Sequence, residues 1–418
     1  MPSRQHNGST SMKRGTDSNK APSQGSGGKG GYRGWRAILN PLWCYYGFLA
    51  TVVATTVFGL MMVFSSSAVD LVAQGSSPWS QVIRQSIYAV FGLLLALLAV
   101  RISVDHYRNW STWFLIVSQG VQLLTRTPLG RSANGNEGWI SIGGVSMQPA
   151  ELLKLALCLW LPQALIEAQR QVGKDSDLKS LAKAYAKPAA GFIVSFLLIM
   201  LGKDLGTAMI IVIIGFVAFL VSGFPLRWLL SLAVLGMAAV IGFSVYGNSN
   251  RTQRIMAAYG KCSEDDIQGV CYQSIHGLYA MASGGLTGVG LGNSREKWNY
   301  LPEAHNDFIF AVIGEELGFV GAAMLILVFV VMGWCMLRIA LTTKDRYAGM
   351  VLICLDVWLV GQALVNICVV LGLLPVIGLP LPFVSAGGTA LISCLASAGV
   401  ALKMIRTQPD VMAATDGS

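Results

Sequence analysis

Long apolar runs, broken only briefly by charge, dominate this 418-residue chain. A helix that crosses a bilayer needs roughly 20 mostly apolar residues, and its backbone must satisfy its own hydrogen bonds. Runs at 43–64, 85–100, 110–124, 152–166, 189–201, 205–221, 228–246, 308–337, 350–371 and 389–404 supply about ten such helices. The pair at 189–201 and 205–221 is short and reads as two helices joined by a tight turn at "GKD". Hydrophobic residues make up 54% of the chain and charged residues only 12%, against about 25% charged in soluble domains. So few charges do not cover a water-facing surface. The expected fold is an all-α polytopic membrane protein.

The net charge of +9 needs no nucleic-acid partner, because cytoplasmic loops of membrane proteins collect Lys and Arg. Ten helices leave both termini on one side. "RISVDHYRN", "EAQRQVGKDSDLKSLAKAYAKPA", "PLRW", "RIALTTKDRYA" and "KMIRTQ" share that side, which is read as cytoplasmic. "SSSAVDLVAQGSSPWS", "TPLGRSANGNEGWISIGGVSMQPAE", the Lys203–Asp204 turn, a large loop at 247–306 between helices 7 and 8, and "LLPVIGLPLPFVSAGG" then face out. The first forty residues hold seven Lys/Arg against one acid, are rich in Gly and Ser, and lack the apolar core of a signal peptide. Residues 1–42 are therefore expected to be a disordered cytoplasmic tail, followed by a transmembrane domain at 43–404 and a short cytoplasmic tail at 405–418. The first helix acts as an uncleaved anchor.

"YLPEAHNDFIFAVIGEELG", at 300–318, sets Glu303, Asp307, Glu315, Glu316 and His305 where the polar loop meets an apolar run. Asp307 facing an outward cleft can stay ionised and act as a base; an acid that merely complements a helix N-terminus is the blander reading. If the helix starts near 317, Glu315 and Glu316 lie at the outer interface. If it enters at 308, they sit about 12 Å below Asp307 and need partners, with Lys154 one candidate. In "SMQPAELLKLAL", Pro149 and Glu151 are ordinary helix-start residues. Lys154 shares the face of Glu151, and a Lys one turn into a membrane helix must pair, face a wet cavity or snorkel. Asp204, beside Lys203, is either a charged hairpin tip or the rim of the same cavity. Trp139, Trp298 and Tyr300 fit an interfacial aromatic belt, with sugar stacking as the alternative. "SGGLTGVGLGN" lacks the ending and context of a phosphate loop and implies a backbone that bends closely over something. Six of the 8 cysteines (Cys44, Cys158, Cys335, Cys354, Cys368, Cys394) fall in apolar runs as packing residues. Cys262 and Cys271, in the polar loop, are either a disulfide or two free thiols. No CxxC spacing or His cluster points to a metal.

Taken together, "GWISIGGVSMQPAELLKLAL", "KDLGTA", "GLGNSREKWNYLPEAHNDFIFAVIGEELG" and "GLPLPFVSAGG" resemble the SEDS (shape, elongation, division and sporulation) family, and its division branch in particular, over roughly 43–404. The resemblance implies a peptidoglycan glycosyltransferase of about ten helices that polymerises lipid II on the outer face of the bacterial cytoplasmic membrane at the septum. It implies a class B penicillin-binding protein transpeptidase and other division proteins as partners, besides the nascent glycan strand and membrane lipids. Asp307 matches the essential Asp of the family's "LPExHxDF" motif and is expected to be the general base. Glu151 and Lys154 match "QPxExxK", and Asp204 matches "DLGT". Glu303, His305, Glu315, Glu316 and Ser385 are expected around the site. The chain departs from the pattern where Gly138 replaces a frequent Arg and Gly202–Lys203 precedes Asp204. The cation that meets the diphosphate is thus open among Arg131, Lys154, Lys203, Arg295 and Lys297.

The implied reaction joins the 4-hydroxyl of a GlcNAc to the anomeric carbon of a MurNAc by single, inverting displacement of undecaprenyl diphosphate. Glycosidases need two carboxylates because a sugar alkoxide must be protonated to leave. A diphosphate leaves without a proton, so one base and cationic stabilisation suffice. A divalent cation, Mg or Mn, fits this chemistry, but no ligand set for it is evident. A lipid II flippase and a non-catalytic division scaffold are the alternatives.

Overall fold

The computed structural model describes residues 34–133, 136–142, 145–172, 178–231, 234, 236, 271–298 and 300–416. The chain forms two units, 1–40 and 41–418. The first is described only at its end, where Gly34–Leu39 is a 3-10 turn.

The second unit is mostly helical. In chain order it comprises α1 (Pro41–Ala73), α2 (Ser80–Arg101), α3 (Val104–Leu123), a sheet of β1 (Gly130–Ala133), β2 (Asn136–Ile142) and β3 (Val145–Met147), then α4 (Pro149–Gln171), α5 (Leu178–Leu201) and α6 (Leu205–Val221). From residue 271 onward come α7 (Tyr272–Ser283), a helix inside the expected 247–306 loop, then α8 (Ile309–Thr342), α9 (Arg346–Asp356), a π-helical turn (Val357–Gly361), α10 (Gln362–Val370), α11 (Gly388–Ile405) and α12 (Pro409–Asp416). Among the described residues, seven helices are long and apolar enough to cross a membrane: α1, α2, α4, α5, α8, the continuous α9–α10 rod and α11. α6 is shorter, and α3 is long enough but too polar to qualify. Most of the span expected at 228–246 lies outside the described residues, as do Cys262 and the first part of the expected 247–306 loop, up to residue 270.

Capping explains several boundaries. The Ser103 hydroxyl accepts from His106 N at α3, and the Asp345 carboxylate accepts from Tyr347 N and Ala348 N at α9. Pro149 occupies the first turn of α4, where its missing N–H costs nothing. α4 is the central post: 83% of its apolar window is buried by protein, against 22% for α2. α2 lies close along α11, where a Cβ on Gly399 would meet Ala96 O at 2.4 Å and one on Gly92 would meet the Leu395 side chain at 2.7 Å. Small residues let the two backbones approach, the usual device where lipid offers no hydrophobic drive between helices.

Three expectations need correction. The all-α reading fails locally, because the segment before α4 folds as an antiparallel sheet in the order β1-β2-β3, pairing Arg131 with Trp139 and Ile140 with Met147. In "NEGWISI" only the last three residues alternate apolar and polar, and Ile140 is buried while Glu137 N donates to Gly202 O at 2.9 Å. Second, α1 does not stop at 64 but carries "SSSAVD" onward as helix to Ala73. Ser66 and Ser67 bond back to the carbonyls of Met62 and Val63, which keeps these hydroxyls compatible with a helix. Third, the helix at 308–337 starts at Ile309, but it is not continuous: Gly318 has φ 67 and ψ −168.

That break accounts for the glycine-rich stretch. Residues 285–290 lie in it: Val289 N and Gly290 N donate to the carbonyls of Glu315 and Glu316, while Phe319 N and Val320 N donate to the carbonyls of Gly285 and Leu286. Backbone groups freed by a broken membrane helix need partners from protein, and here a loop supplies them. A Cβ on Gly318 would lie 2.3 Å from Gly288 N, so the approach admits no side chain.

Candidate active site

The Asp307 turn is held from one side. Three consecutive carbonyls, of His305, Asn306 and Asp307, accept from Ala386 N at 2.9 Å, Ser385 Oγ at 2.7 Å and Asn366 Nδ2 at 2.8 Å. Asn366 also donates to Leu379 O at 2.7 Å. The turn is completed by Glu303, in the left-handed region at φ 56, whose carboxylate accepts from the Asn306 amide. Asp307 is half-buried, just ahead of Phe308, the N-cap of α8. Opposite stands Gly378, at φ 70, where a Cβ would approach Asp307 Oδ2 to 3.5 Å.

Lys154 is fully buried, and its ammonium pairs with Glu151 at 2.8 Å, donates to Gln362 Oε1 at 2.8 Å and lies 4.9 Å from the centroid of Trp358. The expected Glu151–Lys154 pair is therefore present, but snorkelling is excluded and the ammonium is fully enclosed by protein. Gln362 donates onward to Pro380 O at 2.8 Å. Asp204 is neither a hairpin tip in water nor an exposed rim: it is buried, caps α6 by accepting from Thr207 N and Oγ1, and accepts from Gln148 Nε2 at 2.7 Å. Behind it, Gly206 packs on Ile377 O. Lys203 takes the exposed place, paired with Glu137, which Arg126 also meets at 2.6 Å. The hydrogen bonds from Lys203 and then Arg126 hold the Glu137 carboxyl below its ordinary range. Three motifs far apart in sequence thus converge on residues 377–386. Asp307 arrives through Gly378 and Asn366, Lys154 through Gln362 and Pro380, and Asp204 through Gly206.

The remaining glutamates support the fold. Both are buried, so the helix entry near 308 is the correct alternative, but the partner is not Lys154. Glu316 pairs with buried Lys297 at 2.8 Å and accepts from Ser65 Oγ at 2.7 Å. Glu315 accepts from Ser294 Oγ and from Arg295 N at 2.9 Å. Lys297 is thereby committed to a carboxylate, whereas Arg131 and Arg295 are exposed. Trp298 and Tyr300 are exposed, and the Tyr300 ring stacks near His276 at 6.2 Å. Cys271 is disulfide-bonded, and the six cysteines of the apolar runs are in no disulfide. Sequence reasoning missed Gln362, Asn366 and Ser65. The signal for the first two is a Gln and an Asn four residues apart in the apolar run "VGQALVNICVV", on one helical face. Among the described residues no group of three or more His, Cys, Asp or Glu is placed to hold a metal.

The family model of the FtsW, RodA and SpoVE proteins, described as a cell cycle protein, matches residues 46–409. The chain is 36% identical over 380 residues to the probable peptidoglycan glycosyltransferase FtsW of Mycobacterium tuberculosis, covering 90% of this chain and 70% of that protein. It is 35% identical to the stage V sporulation protein E of Bacillus subtilis, covering 86% of this chain and 95% of the relative. Among solved structures it is similar to the rod shape determining protein RodA of Thermus thermophilus, with a TM-score of 0.63, 28% identity and coverage of 86% and 96%. It is also similar to a chain of a peptidoglycan synthase complex that coordinates polymerization and crosslinking, with a TM-score of 0.68, 26% identity and coverage of 86% and 97%.

Proposed function

The chain belongs to the FtsW, RodA and SpoVE family of cell cycle proteins, and from that premise we propose that Asp307 is the general base of a glycan-polymerising site. The protein is a peptidoglycan glycosyltransferase of the membrane. In our reading it joins lipid II to a growing glycan strand on the outer face of the bacterial cytoplasmic membrane, at the division septum. Its ten helices leave both termini in the cytoplasm and the 247–306 loop outside.

One observation carries the catalytic assignment. The Asp307 carboxylate is half-buried at a helix N-terminus, on a turn whose three carbonyls are each tied down. A base fixed in this way adds rate because it needs no reorganisation. It takes the proton of the acceptor 4-hydroxyl as that oxygen attacks the anomeric carbon, and undecaprenyl diphosphate departs with inversion. The leaving group needs no acid. We assign its stabilisation to exposed Arg131 and Arg295, since Lys154, Lys203 and Lys297 are paired with Glu151, Glu137 and Glu316. A divalent cation in this site would be held chiefly by the diphosphate itself, as is usual for Mg. A class B transpeptidase is the partner we assign, a reading supported by the similar synthase complex.

The test is polymerisation of lipid II by the purified protein with its transpeptidase in detergent, where no second compartment exists. Glycan strands are the expected product. A flippase or a scaffold gives none under these conditions, and their absence would remove the enzyme reading.

A further inference from the structure

Two buried polar atoms beside the Asp307 turn have no hydrogen-bond partner among the described residues: Nδ1 of His305 and Oδ1 of Asp70. The two side chains are within electrostatic reach of each other. Asp70 lies in the last turn of α1, whose end is marked by Gln74 N donating to Asp70 O. Carbonyls at a helix C-terminus disfavour an acid there, and that turn of α1 contains no basic residue. The carboxylate must therefore be matched from outside its own helix. His305 has its carbonyl tied to Ala386 N, so its imidazole is the part of the residue left to be oriented.

Resting on the polymerase reading, we propose that Asp70 is a positioning residue. Its carboxylate accepts from Nδ1–H of His305 across one bridging water, and so selects the tautomer that leaves Nε2 as an acceptor two residues from the catalytic base. Both buried atoms are satisfied by this one arrangement. Nε2 is then available to a hydroxyl of the acceptor sugar. Fixing a ring tautomer through its other nitrogen is the general way in which carboxylates tune histidine. The outer end of α1, which sequence reading takes for a loop, thereby becomes part of the site.

The test is a double-mutant cycle on lipid II polymerisation by the protein with its transpeptidase. Asp70→Ala should lower kcat about tenfold, the scale of losses when a group that orients a histidine is removed, with KM changed less than about twofold. Asp70→Asn, which keeps an acceptor oxygen, should recover most of the rate. In the His305→Ala background, Asp70→Ala should cost nothing further, because residues that act through each other are non-additive. Asp70→Leu, closer in volume, carries the cycle if Asp70→Ala does not fold. Wild-type rates for the Asp70 variants, or losses that multiply in the double variant, overturn the assignment. An inactive wild-type protein instead overturns the polymerase reading, and this assignment with it.

Discussion

Glu316 has no exposed surface and meets the Lys297 ammonium at 2.8 Å, in reach of the Ser65 hydroxyl. Removing one partner of a buried pair strands the other charge at low dielectric, at a cost of about 3–5 kcal/mol. Glu316→Gln should therefore lower the thermal midpoint of the solubilised protein markedly. The double change Glu316→Leu with Lys297→Met, which removes both charges, should lose much less. Equal losses in the two variants would mean that Lys297 is not held by this pair. At the same scale, Glu151 and Lys154 were legible as a pair from their spacing of three, and Asp307 from its motif. The partner of Glu316 was not legible, because nothing in the spacing of 297 and 316 announces that a loop lysine turns back into the helix bundle.

Among the elements, α8 depends most on another segment, since its break at Gly318 is filled by the backbone of residues 285–290. Gly318→Ala must place a methyl 2.3 Å from Gly288 N at φ 67. It is expected to raise protease cleavage within 284–290 and to lower the yield of folded protein. Unchanged cleavage would show that the loop does not need that approach. The sheet before α4 offers a second check. Lys203 and Arg126 hold Glu137 below its ordinary value of 4.5, so the two ion pairs are complete above that value and are lost as pH falls through the lowered one. A fluorophore on Ser132→Cys should report a constant environment from neutral pH to about 5 and a change only below the ordinary carboxylate range. A transition near neutral pH would contradict the assignment. The helices were readable from apolar runs, whereas the sheet was not. Its strands are three to seven residues long, too short for periodicity to outweigh a Gly- and Asn-rich loop. The serine run at the end of α1 misled for the opposite reason: its hydroxyls bond back to the helix, a choice that composition does not reveal.

Across the whole molecule, the Pro- and Gly-rich segment at 377–386 joins the parts. It receives Asp307 through Gly378 and Asn366, Lys154 through Gln362, and Asp204 through Gly206. Motif order in the sequence pointed to these residues but not to their division of labour. Two of the three charged groups brought here by their motifs are satisfied internally, by an ion pair and by a helix cap. Asp307 is the acid held half-buried by a tethered turn. The measurement that tests this division most directly is the rate of lipid II polymerisation by Asp307→Asn with its transpeptidase, alongside its thermal midpoint. The midpoint should stay within a few degrees of wild type while the rate falls by at least 10²–10⁴-fold, the usual contribution of a positioned general base. A folded Asp307→Asn protein that polymerises at near the wild-type rate would contradict the assignment.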